Sequence, residues 1–277
     1  MTSVGVVVNC YERTYRGVLV PGFFRQVVAQ NRFPFDEVVA LINNVDDRAE
    51  ATERAVALVN AGEISSFAFV ADHLDQALRS AGLSPRALRR RPYLLDYGIA
   101  MPHAVSTDWL LGWDAETQLL TPTDWVTPSI DLMLDDPRIF HASLSWPARP
   151  EEPGALGEAV EVQGQFALNY GFSDQLFLLR RRELMAPIYR SFAPAALTRH
   201  APHPYTFEYR VEAHQRAVRR MRASLISVEY AMEDYGTGVV DRTGRTRRDA
   251  VEYKALSLLD HYVVRHLPRS MGPRFSK

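Results

Sequence analysis

Cysteine is nearly missing from this chain. Cys10 is the only one in 277 residues, which excludes an intrachain disulfide and a cysteine-based zinc site. Lysine is almost as scarce: Lys254 and Lys277 are the only two, and arginine carries nearly all the positive charge. The planar arginine fork suits phosphate and carboxylate, although a GC-rich coding sequence gives the same bias. Acidic and basic residues almost cancel, at a net charge of -1, so no basic field argues for nucleic acid. No apolar run approaches the roughly 18 residues of a membrane span, and no charged-then-apolar leader opens the chain. The expectation is a soluble, cytoplasmic protein without a transmembrane segment. Glycine-rich phosphate loops are absent too. Neither the dinucleotide fingerprint nor GxxxxGK[ST] occurs, which leaves a Rossmann oxidoreductase and a P-loop enzyme unsupported.

What is present alternates. VGVVVN (Val4 to Asn9) reads as a strand buried on both faces, and Pro21 opens a helix to about Asn31 with Phe24, Val27 and Val28 inward. EVVALI (Glu37 to Ile42) is a second strand, followed by a helix capped by Asp46 or Asp47 and closed at Gly62. SFAFV (Ser66 to Val70) is a third, with Asp72 capping a helix that stops at Gly82. Three such units predict a mainly parallel sheet. A short helix follows from Ser84 to Arg90, then WLLGW as a central strand, a helix over Asp124–Leu134 and a strand over Arg138–Trp146. Residues 147–165 are rich in Pro, Gly and Glu and read as a loop or lid. Beyond it come a strand at Leu176–Arg180 and two long helices, about Thr206–Tyr235 and Asp249–Leu267. The organisation is a first half, 1–146, and a lid and acceptor half, 147–277.

In open parallel sheets, ligands bind beyond the carboxyl ends of the strands, at the switch in strand order. Polar clusters sit there four times: Asn9, Tyr11 and Arg13 after the first strand, Asn43, Asn44 and Asp46 after the second, Asp72 after the third, and Asp114 and Glu116 after WLLGW. Two carboxylates on a tight turn offer hard oxygen ligands to Mg2+ or Mn2+ and leave positions for phosphate oxygens; otherwise they are an acidic turn.

The order VGVVVNCYER, EVVALINNVDD and WLLGWDAET with DWVTPSIDLML behind it resembles the nucleotide-sugar-binding half of a GT-A-fold glycosyltransferase, family-2-like, over residues 4–146. The resemblance implies an α/β fold with a GT-A-like, mainly parallel central sheet flanked by helices, and further helices toward the C-terminus. It implies a nucleotide-diphosphate sugar donor, a divalent metal (Mn2+ or Mg2+) and a small-molecule or glycan acceptor. WDAET takes the place of the family's D-x-D motif. Asp114 then approaches ribose or metal and Glu116 ligates the metal, with His261 a further candidate ligand. Asn9, Tyr11 and Arg13 line the nucleobase pocket. Asn43 and Asn44 stand where the family reads the base with an acid, and Asp46, Asp72 and Trp113 complete the donor site.

The chain departs from the pattern in having Glu at the third motif position, an amide pair for the base-reading acid, and no Q-x-x-R-W. Asp174, in a Ser-Asp-Gln turn before a strand, matches in order the general base of inverting relatives; it also reads as an Asx-turn. Glu208 and Glu212, four apart, are reserves for that role or a solvated face extended by Arg216. His200, His203 and His266, the run Arg180–Arg182 and the tryptophans Trp109, Trp113, Trp125 and Trp146 carry both a site reading and a packing reading. The tail after His266 mixes Arg269, Arg274 and Lys277 with Leu267, Met271 and Phe275, which reads either as a contact for an anionic membrane or as a plain basic tail. Two other classes compete with transfer of a single sugar: a non-catalytic nucleotide- or partner-binding protein, and a sugar-phosphate nucleotidyltransferase.

Overall fold

The computed structural model describes residues 2–88, 92–146, 154–199, 206–232 and 247–264. β1 (Val4–Tyr11) is buried from Val4 to Val8, as expected of an unbroken β-branched run. Within it Gly5 has no room for a side chain, because a Cβ there would lie 2.7 Å from Thr107 Oγ1. A turn closed by Thr14, whose hydroxyl accepts from Tyr11 N at 3.1 Å, leads into α1 (Tyr15–Val18) and α2 (Phe23–Asn31). β2 (Glu37–Asn43) and α3 (Arg48–Asn60) follow, with Asp47 capping α3 by accepting from Glu50 N. β3 (Ser66–Phe69) runs directly into α4 (Val70–Ser80). The expected cap at Asp72 is therefore corrected: Asp72 stands inside the first turn of α4, where its charge favours the helix N-terminus.

Pro85–Leu88 forms only a single 3-10 turn, and Arg89 and Arg90 lie outside the described residues. α5 (Asp96–Ala100) precedes β4 (Trp109–Asp114), β5 (Thr117–Leu119), α6 (Val126–Asp135) and β6 (Ile139–Ser145). The expected lid contains regular structure, α7 (Ala155–Glu158) and β7 (Glu161–Gln163), with 147–153 outside the described residues. β8 (Phe166–Asn169), β9 (Leu176–Arg180), α8 (Arg181–Met185), α9 (Pro194–Arg199) and α10 (Phe207–Ala217) come next.

The long helix expected over Thr206–Tyr235 is overturned. α10 ends at Ala217, Arg219 turns left-handed at φ 56, and Met221–Met232 is a twelve-residue strand, β10. α11 (Arg247–Tyr262) closes the described chain, with His266 outside it.

The ten strands of the described residues form one sheet in the order β3-β2-β1-β4-β9-β6-β10-β8-β7, with β5 pairing β10. Strands β3, β2, β1 and β4 pair in parallel, as do β6 and β10, whereas β9 lies antiparallel between β4 and β6. This is the expected α/β class. Alternate side chains feed two cores. Val6, Val8, Trp113, Trp125 and Leu178 belong to one; Val7, Leu41, Leu110, Phe177 and Phe207 belong to the other. Among the described residues no helix is long and apolar enough to cross a membrane.

Candidate active site

The chain builds outward from β1 through β2 to β3, then returns to place β4 on the other side of β1. The switch in strand order therefore lies between β1 and β4, where an α/β sheet opens a crevice at its carboxyl end. Asn9 and Asp114 are register partners across that pair, and Tyr11 and Asn43 are partners across β1 and β2. Four residues singled out from the sequence thus meet on one edge.

Asp114 sits at the end of its strand with its backbone N–H donated to Gln175 O at 2.8 Å, and its Oδ1 accepts from Glu116 N at 2.9 Å. Burial, with the charge of Glu116 adding, pushes the Asp114 carboxyl up to about 7, while the Glu116 N–H opposes the shift. Glu116 is buried as well. Two desolvated carboxylates on one tight turn form a small, hard, anionic donor set, which suits Mg2+ or Mn2+ completed by phosphate oxygens. Among the described residues no third His, Cys, Asp or Glu joins them. His261 lies exposed on α11 against the Tyr262 ring, and α11 packs against α9.

On the β2 side, Asn43 and Asn44 converge on a residue the sequence reading missed. Asn43 Nδ2 donates to Asp96 Oδ1 at 3.1 Å, and Asn44 Nδ2 donates to Asp96 Oδ2 at 3.3 Å. Asn44 reaches it from a left-handed backbone, φ 46, which asparagine tolerates. Asp96 is buried, and desolvation holds its carboxyl above the ordinary range against these donors. Asn9 Oδ1 and Asn43 Oδ1 are buried acceptors without a hydrogen-bond partner among the described residues. An acceptor left so costs about 1–3 kcal/mol.

Tyr97, next in sequence to Asp96, was also missed, and its hydroxyl donates to Asp174 Oδ2. Asp174 N donates to Glu208 Oε1 at 3.2 Å. Burial first, then the charges of Glu208 and Asp114, drive the Asp174 carboxyl well above its usual range, with the Tyr97 hydrogen bond pulling the other way. Gln175 ties this turn to the Asp114–Glu116 turn, since its carbonyl takes both Asp114 N and Thr117 Oγ1. The signal for Asp96 and Tyr97 is an acid inside the apolar segment YLLDYGIAM, to which the sequence reading assigns no element.

The other candidates are spread over the surface, the core and the far end of β4. Asp72 is exposed and paired with Arg48, which stacks on Phe69. Asp46 is exposed, with its N–H given to Glu12 Oε2, and Arg13 is exposed on the loop after β1. Trp113 is fully buried in the core beside β1, and Trp125 donates to Asn31 within the same core. Trp109 pairs with Arg180 at the opposite end of β4, so Arg180 and Arg181 stand away from the crevice; Arg181 donates to Thr107 O. Glu212 is not solvated: it is buried between Arg216 and Arg199, each at 2.8 Å. His200 and His203 lie outside the described residues. Cys10 is buried beneath the site, with burial pushing its thiol up to about 12.

No protein-family model and no curated protein matches the chain. Among solved structures it is similar to GalNAc-T7 with UDP, GalNAc and Mn2+, at 11% identity over 94% of this chain and 48% of that one, TM-score 0.47. It is similar to glucosyl-3-phosphoglycerate synthase from Mycobacterium tuberculosis in complex with Mn2+, UDP and phosphoglyceric acid, at 17% identity over 84% and 71%, TM-score 0.40. S. aureus TarS aligns at 10% identity over 97% of this chain and 41% of its own, TM-score 0.44. These three are GT-A glycosyltransferases. The chain spans about half the length of GalNAc-T7 and less of TarS.

Proposed function

We propose that this chain is a metal-assisted glycosyltransferase that moves one sugar from a nucleoside-diphosphate sugar to an acceptor hydroxyl. The observation that carries the reading is the register of Asn9 against Asp114 at the switch in strand order, with Asp174 joined to the same turn through Gln175. Asp114 and Glu116 hold a divalent cation, which when bound neutralises charge on the leaving diphosphate. The unfilled acceptors of Asn9 and Asn43 take N–H donors of the nucleobase, while Asp96 fixes both amides of the Asn43-Asn44 pair. Asn44, Asp46, Tyr11 and Arg13 border the nucleoside on the β1 and β2 side.

Asp174 accepts the proton of the acceptor hydroxyl as that oxygen attacks the anomeric carbon. A carboxylate with a raised pKa is the stronger base once ionised. A single displacement with such a base inverts the anomeric centre. The second half of the chain, which supplies Asp174 and Glu208, then faces the acceptor.

The test is thermal stabilisation by UDP, GDP, CDP and dTDP, each with and without Mn2+, followed by donor hydrolysis. One diphosphate that stabilises only with metal, and whose sugar conjugate is slowly hydrolysed, supports the reading. Binding without any turnover, with acceptors supplied, would identify a non-catalytic binding protein instead.

A further inference from the structure

We infer that the site reads guanine, which makes the donor a GDP-sugar; this rests on the sugar-transfer function proposed for the same site and specifies its base. Alternation along the strands brings the reading groups together. Val6, Val8 and Cys10 of β1 and Ala40 and Ile42 of β2 face one core, whereas Val7 and Leu41 face the other. Side chains two apart on a strand share a face. Asn9 therefore follows Val7, and Asn43 follows Leu41, onto the face that packs against Tyr97, Ile99 and Ala100 of α5. Asn9 registers with Leu41 and Tyr11 with Asn43, so Asn9 and Asn43 are diagonal neighbours at the carboxyl end of the pair. Asp114, the register partner of Asn9 on β4, completes the row.

Both amides present an oxygen with nothing to accept from. Asn43 is 3% exposed and Asn9 partly buried, and the Oδ1 of each is buried without a hydrogen-bond partner among the described residues. The Asn43 oxygen is held in that orientation, because its Nδ2 is given to Asp96. Asp96 is occupied in turn: Oδ1 takes Asn43 Nδ2 and Tyr97 N, and Oδ2 takes Asn44 Nδ2. The acid therefore sets the amides and leaves two neutral acceptors to meet the ligand.

Two neighbouring acceptors call for two neighbouring donors. The pairing edge of guanine carries them, its N1–H beside the N2 amino group. Uracil and thymine offer a single N3–H between two carbonyl oxygens, which sets an oxygen against the second amide. Cytosine and adenine offer one amino group beside a ring nitrogen that accepts. Each of these four leaves a buried acceptor unfilled or faces it with another acceptor, the mismatch by which polar sites discriminate most strongly.

The experiment is titration calorimetry of the 277-residue chain with GDP, IDP, UDP, dTDP, CDP and ADP, all with Mn2+. IDP is the discriminating probe, because it differs from GDP only in lacking the 2-amino group. GDP is expected to bind tightest, with IDP weaker by roughly tenfold and UDP by roughly a hundredfold. Asn9→Leu should weaken GDP by roughly tenfold and UDP less, with an unchanged circular dichroism spectrum. UDP, dTDP, CDP or ADP binding as tightly as GDP overturns the base assignment and leaves sugar transfer standing. Equal binding of GDP and IDP overturns it as well, since one acceptor then reads nothing. A folded Asn9→Leu variant that keeps the full preference for GDP also overturns it. Failure of every diphosphate to bind overturns the proposed transfer along with the base.

Discussion

The Tyr97 hydroxyl donates to Asp174, and the residue before Tyr97 holds both Asn43 and Asn44. One short helix, α5, therefore links the amide pair beyond β2 to the carboxyl proposed as base. Its two partners act on Asp174 with opposite sign. The Glu208 charge raises its pKa, and the Tyr97 hydrogen bond lowers it. A base must be ionised to work, so the rate climbs as pH rises through that pKa. Glu208→Gln should move the climb to lower pH and Tyr97→Phe to higher pH. Profiles of kcat/KM against pH read both, and shifts in the same direction would refute the arrangement.

Asp114 gives a prediction about stability that needs no substrate. Its carboxyl is raised from 3.8 to about 7, chiefly by burial. The folded chain thus keeps a proton that the unfolded chain loses, and stability falls as pH rises from about 4 through 7. At pH 8 without divalent cation, Asp114→Asn should melt higher than the parent, by on the order of 1–4 kcal/mol. Adding Mn2+ should stabilise the parent and leave the Asn variant unmoved. Thermal melts at pH 5 and pH 8 decide it. A variant less stable than the parent at both pH values would mean the carboxylate is already compensated within the protein.

Gly98 sets how closely α5 approaches α10. A Cβ at this position would lie 2.2 Å from Phe207 Cγ, and that ring is packed among Tyr97, Phe172, Phe177 and Tyr189. Gly98→Ala should cost about 1–3 kcal/mol through overpacking and lower kcat by displacing Tyr97 from Asp174. Urea midpoints and turnover under saturating donor measure the two effects. Normal stability and normal kcat together would show that α5 has freedom to shift.

Arg222 is buried in the second half of the sheet, where its Nε donates to Asn169 Oδ1 at 2.7 Å and its Nη2 meets Glu158 Oε2 at 3.0 Å. Burial brings its pKa down to about 9. Arg222→Met should destabilise by about 3–5 kcal/mol, because it removes the cation facing a buried carboxylate. Adding Glu158→Gln should restore part of the loss, which denaturant unfolding of both single variants and the double variant will show.

Much of the first half was legible because each strand advertises itself. β1, β2 and β4 are apolar runs with polar residues directly after them, and β9 was placed residue for residue at Leu176–Arg180. β10 was hidden for a physical reason. It is buried on both faces, but one face carries Arg222 and Ser224, so the apolar side chains do not alternate cleanly. Val218, Met221, Leu225 and Val228 keep a helical spacing across the boundary, and the turn at Arg219 carries neither glycine nor proline. Within the candidate site, Asp114, Glu116, Asn9, Asn43 and Asp174 could be proposed from position along the chain. Asp96 and Tyr97 could not, since their importance comes from contacts with residues 52 to 77 positions away.

The antiparallel insertion of β9 has a consequence for how such a chain is made. β6, which ends the first half, has as its sheet neighbours β9 and β10, both from the second. During synthesis β4 and β6 must wait with open edges until residues 176–180 and 221–232 emerge. Pairing at such sequence separation is slow and exposes strand edges to aggregation. A fragment ending at residue 146 should therefore be sticky and poorly folded, however complete its nucleotide-side residues are.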